Sequence, residues 1–148
     1  MKSFLTSFFS ALIFIALWVI LSLQVERIRY TQYIEPYRVE ISPKNTYAAI
    51  SRSWSGKYLF FDVRSRKEYD ELHASWAESV PIADLYDRWK TLPRWDDTPI
   101  YLICTSGRLA AVAYGYLQIH GFHNIRHIEG GISNWVSENQ PVVVKKLF

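Results

Sequence analysis

The chain has 148 residues, a net charge of +3 and a single cysteine, and 49% of its residues are hydrophobic. This hydrophobic content excludes a disordered chain, and the one cysteine excludes an intrachain disulfide framework. The small net charge gives no basis for a nucleic-acid partner. The four histidines show no metal-ligand spacing, so neither a metal nor a cofactor is expected.

The first feature along the chain is an uncharged apolar segment, Phe4 to Leu23. As a helix it would extend about 30 Å, the thickness of a bilayer core, and it is longer than a typical signal-peptide core. We therefore expect a transmembrane anchor at residues 1–25 and a single-pass membrane protein. The basic residues after the segment favour a cytoplasmic C-terminal domain. Its very short N-terminal tail is also typical of anchors that export the domain behind them, so a periplasmic or extracellular domain stays open.

Residues 26–41 are expected to form a juxtamembrane linker and a first strand, and residues 42–148 a single domain. Apolar residues alternate with charged ones at the end of the linker, which predicts the strand. Ser42 as N-cap and Pro43 in the first turn predict that a helix follows directly.

The rest of the domain alternates between apolar strands and short helices. The predicted strands are Tyr58–Val63, Pro99–Ile103 and Asn124–Ile128, with a short extended piece at Val80–Ile82, and the predicted helices are Lys67–Leu72, Ala83–Lys90, Leu109–Ile119 and Ile132–Val136. This alternation predicts an α/β domain with a mainly parallel sheet flanked by helices. Strands that are apolar throughout are typical of sheets buried on both faces.

The single cysteine, Cys104, lies where a buried strand is predicted to end and a helix to begin. Such a position directs backbone N–H groups and the positive end of a helix dipole at the sulfur, which favours a reactive thiolate. A loop that wraps around the sulfur would form an anion-binding nest, and Gly107 would allow the positive φ that the loop needs. The alternative is that Cys104 is a small buried apolar residue at the end of a strand.

Five short motifs occur in order between Ser42 and Val144. They are Asp62-Val63-Arg64 with Glu68-Tyr69, then His73 with Ala77 and Val80-Pro81, then Cys104-Thr105-Ser106-Gly107, then Gly121-Phe122-His123-Asn124-Ile125, and finally Glu129-Gly130-Gly131 with Trp135. In this order they resemble the motifs of a single-domain rhodanese, a sulfurtransferase. The expected architecture is therefore a rhodanese-like α/β domain preceded by one transmembrane helix.

The resemblance implies a sulfurtransferase that works through a persulfide on Cys104. The partners would be a small sulfur-containing anion such as thiosulfate, which donates a sulfane sulfur, and a thiol or cyanide acceptor. We expect the loop to bind the anion, with Asp62 and Arg64 bracing the site as an ion pair and His73 supporting it through hydrogen bonds. The expected loop residues are Thr105, Ser106, Gly107, Arg108, Leu109 and Ala110.

The chain departs from the family pattern at several positions. Leu72 and Trp76 stand where the family usually has glycine, and Leu109 stands where many members have arginine. Arg108 is therefore either a guide for an anionic donor or a solvated residue at a helix start. Related phosphatases need arginine at the position of Ala110, so phosphate-ester hydrolysis is disfavoured. The departures leave a non-catalytic rhodanese-like binding module, or an accessory subunit with a membrane-protein partner, as the alternative.

Overall fold

The computed structural model describes residues 13–22, 38–53, 56–93 and 97–145. The chain divides into two units, Met1–Pro36 and Tyr37–Phe148, and the predicted functional residues all lie in the second unit. Most of the predicted juxtamembrane linker, residues 26–37, lies outside the described residues.

The structure contradicts the predicted membrane location. In the first unit the described helical residues are 13–22, and within the described part of the chain no helix is long and apolar enough to cross a membrane. The prediction of a single-pass membrane protein is therefore wrong on this finding. Residues 4–12 and 23 of the predicted segment lie outside the described residues.

The second unit is an α/β structure. In chain order its elements are β1 (Glu40–Ile41), α1 (Pro43–Arg52), β2 (Leu59–Asp62), α2 (Arg66–Glu71), β3 (Leu72–Ala74), β4 (Glu78–Ser79), α3 (Ile82–Arg88), a 3-10 turn (Trp89–Thr91), β5 (Ile100–Ile103), α4 (Arg108–Ile119), β6 (Ile125–Ile128), α5 (Gly131–Ser137) and β7 (Val142–Val144). One sheet has the strand order β1-β6-β5-β2-β4 with parallel pairing throughout, and β3 and β7 form a separate antiparallel pair. The predicted mainly parallel sheet is thus confirmed.

Helices cover both faces of the parallel sheet. Because successive side chains of a strand point to opposite faces, Phe61 and Leu102 pack with residues of α3 and α4, whereas Phe60 and Ile103 pack with residues of α1 and α5. This double burial explains why the central strands are apolar at nearly every position. The strands β2 and β5 pair in register, with Asp62 opposite Ile103. The chain segments that leave the two strands therefore start side by side at one edge of the sheet.

Several local predictions hold. Ser42 caps α1 by accepting a hydrogen bond from the Asn45 backbone N–H, with Pro43 at the first helical position. The predicted extended piece at Val80–Ile82 is displaced, because the strand that pairs with β2 is β4 and Ile82 already begins α3.

The region between α2 and β4 was not predicted correctly. Leu72, expected to end a helix, begins β3, and its partner β7 was missed as well. Trp76, which replaces a glycine of the family pattern, adopts a φ of 68°. Its ring stacks on Tyr47 with centroids 5.6 Å apart, and this contact helps to hold a conformation that disfavours side chains.

Candidate functional site

Cys104 lies at the carboxyl end of β5 in the middle of the sheet, and only 2% of its surface is exposed. The first turn of α5 holds the backbone on either side of it. The Ile132 N–H donates to the Cys104 carbonyl at 2.7 Å, and both the N–H and the hydroxyl of Ser133 donate to the Thr105 carbonyl, at 3.3 and 3.0 Å. The start of the loop is thus fixed by a helix that lies 27 residues further along the chain.

Gly131 makes this close approach of α5 to the loop sterically feasible. Its φ is +60°, and a Cβ at this position would overlap the Cys104 carbonyl oxygen and lie 2.8 Å from the Thr105 carbonyl carbon. No side chain fits there unless one of the two backbones moves. Gly131 therefore shapes the loop as well as the turn into α5.

The loop returns over the sulfur into α4. Gly107 is the N-cap of α4 with a φ of 92°, and the Ala110 N–H donates to Cys104 Sγ at 3.3 Å. The sulfur therefore accepts a hydrogen bond from the first turn of a twelve-residue helix, where the dipole favours negative charge. This hydrogen bond can stabilise a thiolate on Sγ, and the positive helix terminus can also act on the outer sulfur of a persulfide anion.

Leu109 packs partly buried against the core on the α4 side of the sheet. Leucine is uncharged, so the loop has no cation at this position, where many members of the rhodanese family have arginine. Thr105 and Ser106 are exposed at the surface of the loop.

Asp62 and Arg64 form a buried ion pair next to the loop. Arg64 Nε donates to both carboxylate oxygens at 2.9 and 3.1 Å, and Nη2 donates to Asp62 Oδ2 at 2.6 Å and to the Leu72 carbonyl at 2.7 Å. Burial alone lowers the pKa of Arg64, but the hydrogen bonds and charge of Asp62 outweigh it and raise that pKa overall. Negative charge on Cys104 raises it further, so this guanidinium and the sulfur interact electrostatically.

His73 lies on β3, at the corner with α2. Its Nδ1 is 2.7 Å from the Tyr69 carbonyl oxygen, and its ring stacks on the Tyr69 ring with centroids 3.8 Å apart. The Tyr69 hydroxyl in turn donates to the Ala77 carbonyl at 2.6 Å. These contacts tie His73 to Tyr69 at the end of α2, and none of them joins it to Cys104.

Arg108 is exposed at the start of α4 and lines a cavity of about 210 Å³. The other described residues that line it are Arg38, Glu40, Ser106, Gly107, Ala111, His127, Ile128, Glu129 and Gly130. This cavity borders the loop on the side of β1 and β6, and Cys104 does not line it. The structure therefore places Arg108 beside the loop without bringing it to the sulfur.

His127 is a buried titratable residue that the sequence analysis did not single out. It is 3% exposed, its Nε2 lies 3.2 Å from Glu40 Oε1, and its Nδ1 has no hydrogen-bond partner among the described residues. Burial lowers the pKa of His127 below its ordinary value of 6.5, against the opposing effect of Glu40. His127 is therefore neutral at pH 7.

Glu68 is a second residue whose contact with the loop was missed. The Thr105 hydroxyl donates to Glu68 Oε1 at 3.3 Å, while Glu68 Oε2 accepts from the backbone N–H and the hydroxyl of Ser65, at 3.1 and 2.6 Å. The Ser65 bonds complete a capping box at the start of α2. The spacing of Ser65 and Glu68 signals this box in the sequence, but nothing local signals the contact with Thr105.

No group of three or more potential metal-ligating side chains occurs within the described ranges. The loop itself offers a ligand the Cys104 sulfur, the Ala110 N–H that donates to it, and the exposed side chains of Thr105 and Ser106.

Comparison with known proteins identifies the family. The family model of the rhodanese-like domain matches residues 46–138, and the chain belongs to this family. A rhodanese-related protein from Thermoplasma volcanium is 34% identical in sequence, and its structure superposes with a TM-score of 0.61 over 72% of this chain and 98% of that chain.

Two further similarities extend the comparison. A tRNA uridine(34) hydroxylase from Hamiltonella defensa is 34% identical over 82 residues, which cover 53% of this chain and 23% of the hydroxylase. The chain thus spans about a quarter of the length of this curated relative. A thiosulfate sulfurtransferase from Pseudomonas aeruginosa shares the fold, with a TM-score of 0.62 at 24% identity over 72% of this chain and 20% of that chain.

Proposed function

We propose that this protein is a sulfurtransferase that carries sulfane sulfur as a persulfide on Cys104. The observation that supports it most directly is the position of the sulfur, which accepts a hydrogen bond from the first turn of α4 at the end of the central strand β5. Membership in the rhodanese-like family and the electrostatic interaction of the sulfur with Arg64 support the same conclusion.

The proposed reaction has two half-reactions. In the first, the Cys104 thiolate attacks the outer sulfur of the donor, an S–S bond forms, and the original S–S bond of the donor breaks. The leaving group, sulfite when thiosulfate is the donor, departs with the electron pair. In the second, a thiolate or cyanide attacks the outer sulfur of the persulfide and restores the Cys104 thiolate.

The residues around Cys104 would act by stabilising charge. The Cys104 thiolate carries its negative charge on Sγ, where the Ala110 N–H donates, whereas the persulfide carries it on the outer sulfur. The N–H would therefore serve the thiolate, and the positive helix terminus would act on both anions. Arg64, which follows the neighbouring strand β2 and is oriented by Asp62, would supply the positive charge. A mechanism that starts from a thiolate needs no general base.

The test is the intact mass of the full-length protein after incubation with thiosulfate. We expect a gain of one sulfur atom that is lost on addition of cyanide, and no gain in a Cys104→Ser variant. Serine is close in size to cysteine, so the variant should keep the wild-type circular dichroism spectrum and unfolding midpoint. A folded wild-type protein that gains no sulfur would overturn the proposal.

One observation favours a second candidate, a non-catalytic binding module. Cys104 is almost completely buried, and Leu109 packs against the core where many family members offer an arginine. In a binding module the loop would contact a partner molecule through its surface, and Cys104 would take no part in a reaction. In that case Cys104 would remain unmodified after incubation with any sulfur donor, and a thiol reagent would label it only on unfolding.

A further inference from the structure

The loop residue next to Cys104, Thr105, is engaged by a carboxylate. A threonine hydroxyl has a single proton to donate, and in this structure Thr105 directs it to Glu68 Oε1 at 3.3 Å. While that hydrogen bond persists, the hydroxyl can present only lone pairs to an anion bound over the loop. Glu68 thus removes one potential donor from the anion site.

The same carboxylate places a negative charge 3.3 Å from the hydroxyl of Thr105, the residue that follows Cys104. The hydrogen bond from the Ser65 hydroxyl lowers the pKa of Glu68, so the group is ionised throughout the range in which sulfur transfer is assayed. Asp62, Glu68 and Cys104 all interact electrostatically with the guanidinium of Arg64. One positive side chain therefore faces two carboxylates, in addition to the sulfur, before any donor arrives.

This imbalance discriminates between sulfur donors by their charge. Coulomb repulsion from a fixed carboxylate is proportional to the charge of the ligand, so it is twice as large for a dianion as for a monoanion at the same distance. Thiosulfate is a dianion, whereas cysteine persulfide has a net charge of one negative unit at neutral pH.

We propose that Glu68 is a specificity-determining residue that makes the Cys104 site prefer a monoanionic persulfide donor over the thiosulfate dianion. This inference rests on the proposed function and names its substrate class. The loading step is balanced for this donor: the Cys104 thiolate attacks the terminal sulfur, a Cys104 persulfide forms, and the donor leaves as its thiolate. No oxidant, reductant or proton is consumed.

The experiment measures the rate at which Cys104 gains sulfur, by intact mass in single turnovers, with thiosulfate and with cysteine persulfide as separate probes. The variant is Glu68→Gln. Glutamine can keep the capping box through its carbonyl oxygen and turns its amide N–H₂ toward Thr105, which frees the hydroxyl proton. We expect loading by thiosulfate to rise about fivefold at low ionic strength and loading by cysteine persulfide about twofold. The repulsion energy of the dianion is twice that of the monoanion, and doubling an energy squares the corresponding change in rate.

Two controls separate this effect from general changes. Glu71→Gln removes the same charge from the last turn of α2 and should leave the ratio of the two rates unchanged. Thr105→Val in the Glu68→Gln background removes the freed hydroxyl and should lower thiosulfate loading again. Circular dichroism and the urea midpoint verify that each variant is folded.

The outcomes distinguish this inference from the function on which it rests. A wild-type protein that gains no sulfur from either probe overturns both. Loading of the wild type, with equal changes for the two probes on Glu68→Gln, overturns the inference alone. An unequal change that disappears at high salt supports it, because exposed charges are screened there.

Discussion

Substitution of Gly131 by alanine tests whether the approach of α5 shapes the loop at Cys104. The added Cβ would overlap the Cys104 carbonyl oxygen and lie 2.8 Å from the Thr105 carbonyl carbon, and the residue would keep a φ of +60°. The left-handed conformation costs an alanine roughly 1–2 kcal/mol, partly offset by the lower entropy of its unfolded chain. Relief of the overlap requires the two backbones to separate.

That separation would weaken the two backbone hydrogen bonds at the base of the loop. The Ile132 N–H and the Ser133 N–H both donate to loop carbonyls, and each such bond contributes about 1 kcal/mol. We therefore expect Gly131→Ala to lower the free energy of unfolding by about 3 kcal/mol. Displacement of the loop by about 1 Å would also slow sulfur loading of Cys104 by about 100-fold.

Gly56→Ala is the matched control. Gly56 has a φ of +63°, and a Cβ there would meet nothing within 4 Å, so this variant carries the conformational cost without the overlap. We expect it to lose about 1 kcal/mol and to load sulfur at the wild-type rate. Urea unfolding at equilibrium and intact-mass kinetics measure the two quantities. Equal losses of stability in the two variants would refute the steric reasoning.

Three further predictions concern charged or titratable groups. Asp62→Asn should destabilise the protein by about 3 kcal/mol in urea unfolding, because it leaves the buried guanidinium of Arg64 without a full countercharge; a loss below about 1 kcal/mol would contradict this. Arg108→Ala should raise KM for thiosulfate about threefold at low ionic strength and hardly at all at high salt, with Arg108→Lys partly restoring it. Identical KM values for the three proteins would leave Arg108 as a solvated residue. The pKa of His127 is lowered in the fold from its ordinary value of 6.5, so the unfolded chain binds the additional proton first. Stability should therefore be full above pH 6.5 and fall as the pH decreases below it, and His127→Gln should flatten that slope in urea titrations at several pH values.

Local sequence signals predicted much of the fold. The N-cap Ser42 and the adjacent Pro43 predicted the start of α1, because capping involves residues three positions apart. The apolar run before Cys104 predicted β5, since a strand covered on both faces has no polar side. These two kinds of signal together located Cys104 at a strand–helix junction.

The prediction of a transmembrane helix, which was made from the apolar composition of one segment, was wrong. The apolar segment Phe4 to Leu23 predicted a transmembrane helix, but no described helix is long and apolar enough to cross a membrane. The apolar composition of a segment indicates which surroundings it can tolerate, and composition alone does not determine whether the segment spans a membrane.

Only the tertiary structure determined how the loop is supported and charged. The contact of Glu68 with Thr105 joins residues 37 positions apart, and Gly131 meets Cys104 across 27 positions. Sheet order and register bring these segments together, and neither is encoded in spacing along the chain. By itself the sequence therefore determined that a lone cysteine lies between a strand and a helix, because helix and strand signals act over a few residues. Which backbone approaches that cysteine, and which carboxylate engages the residue beside it, depended on the packing of distant elements.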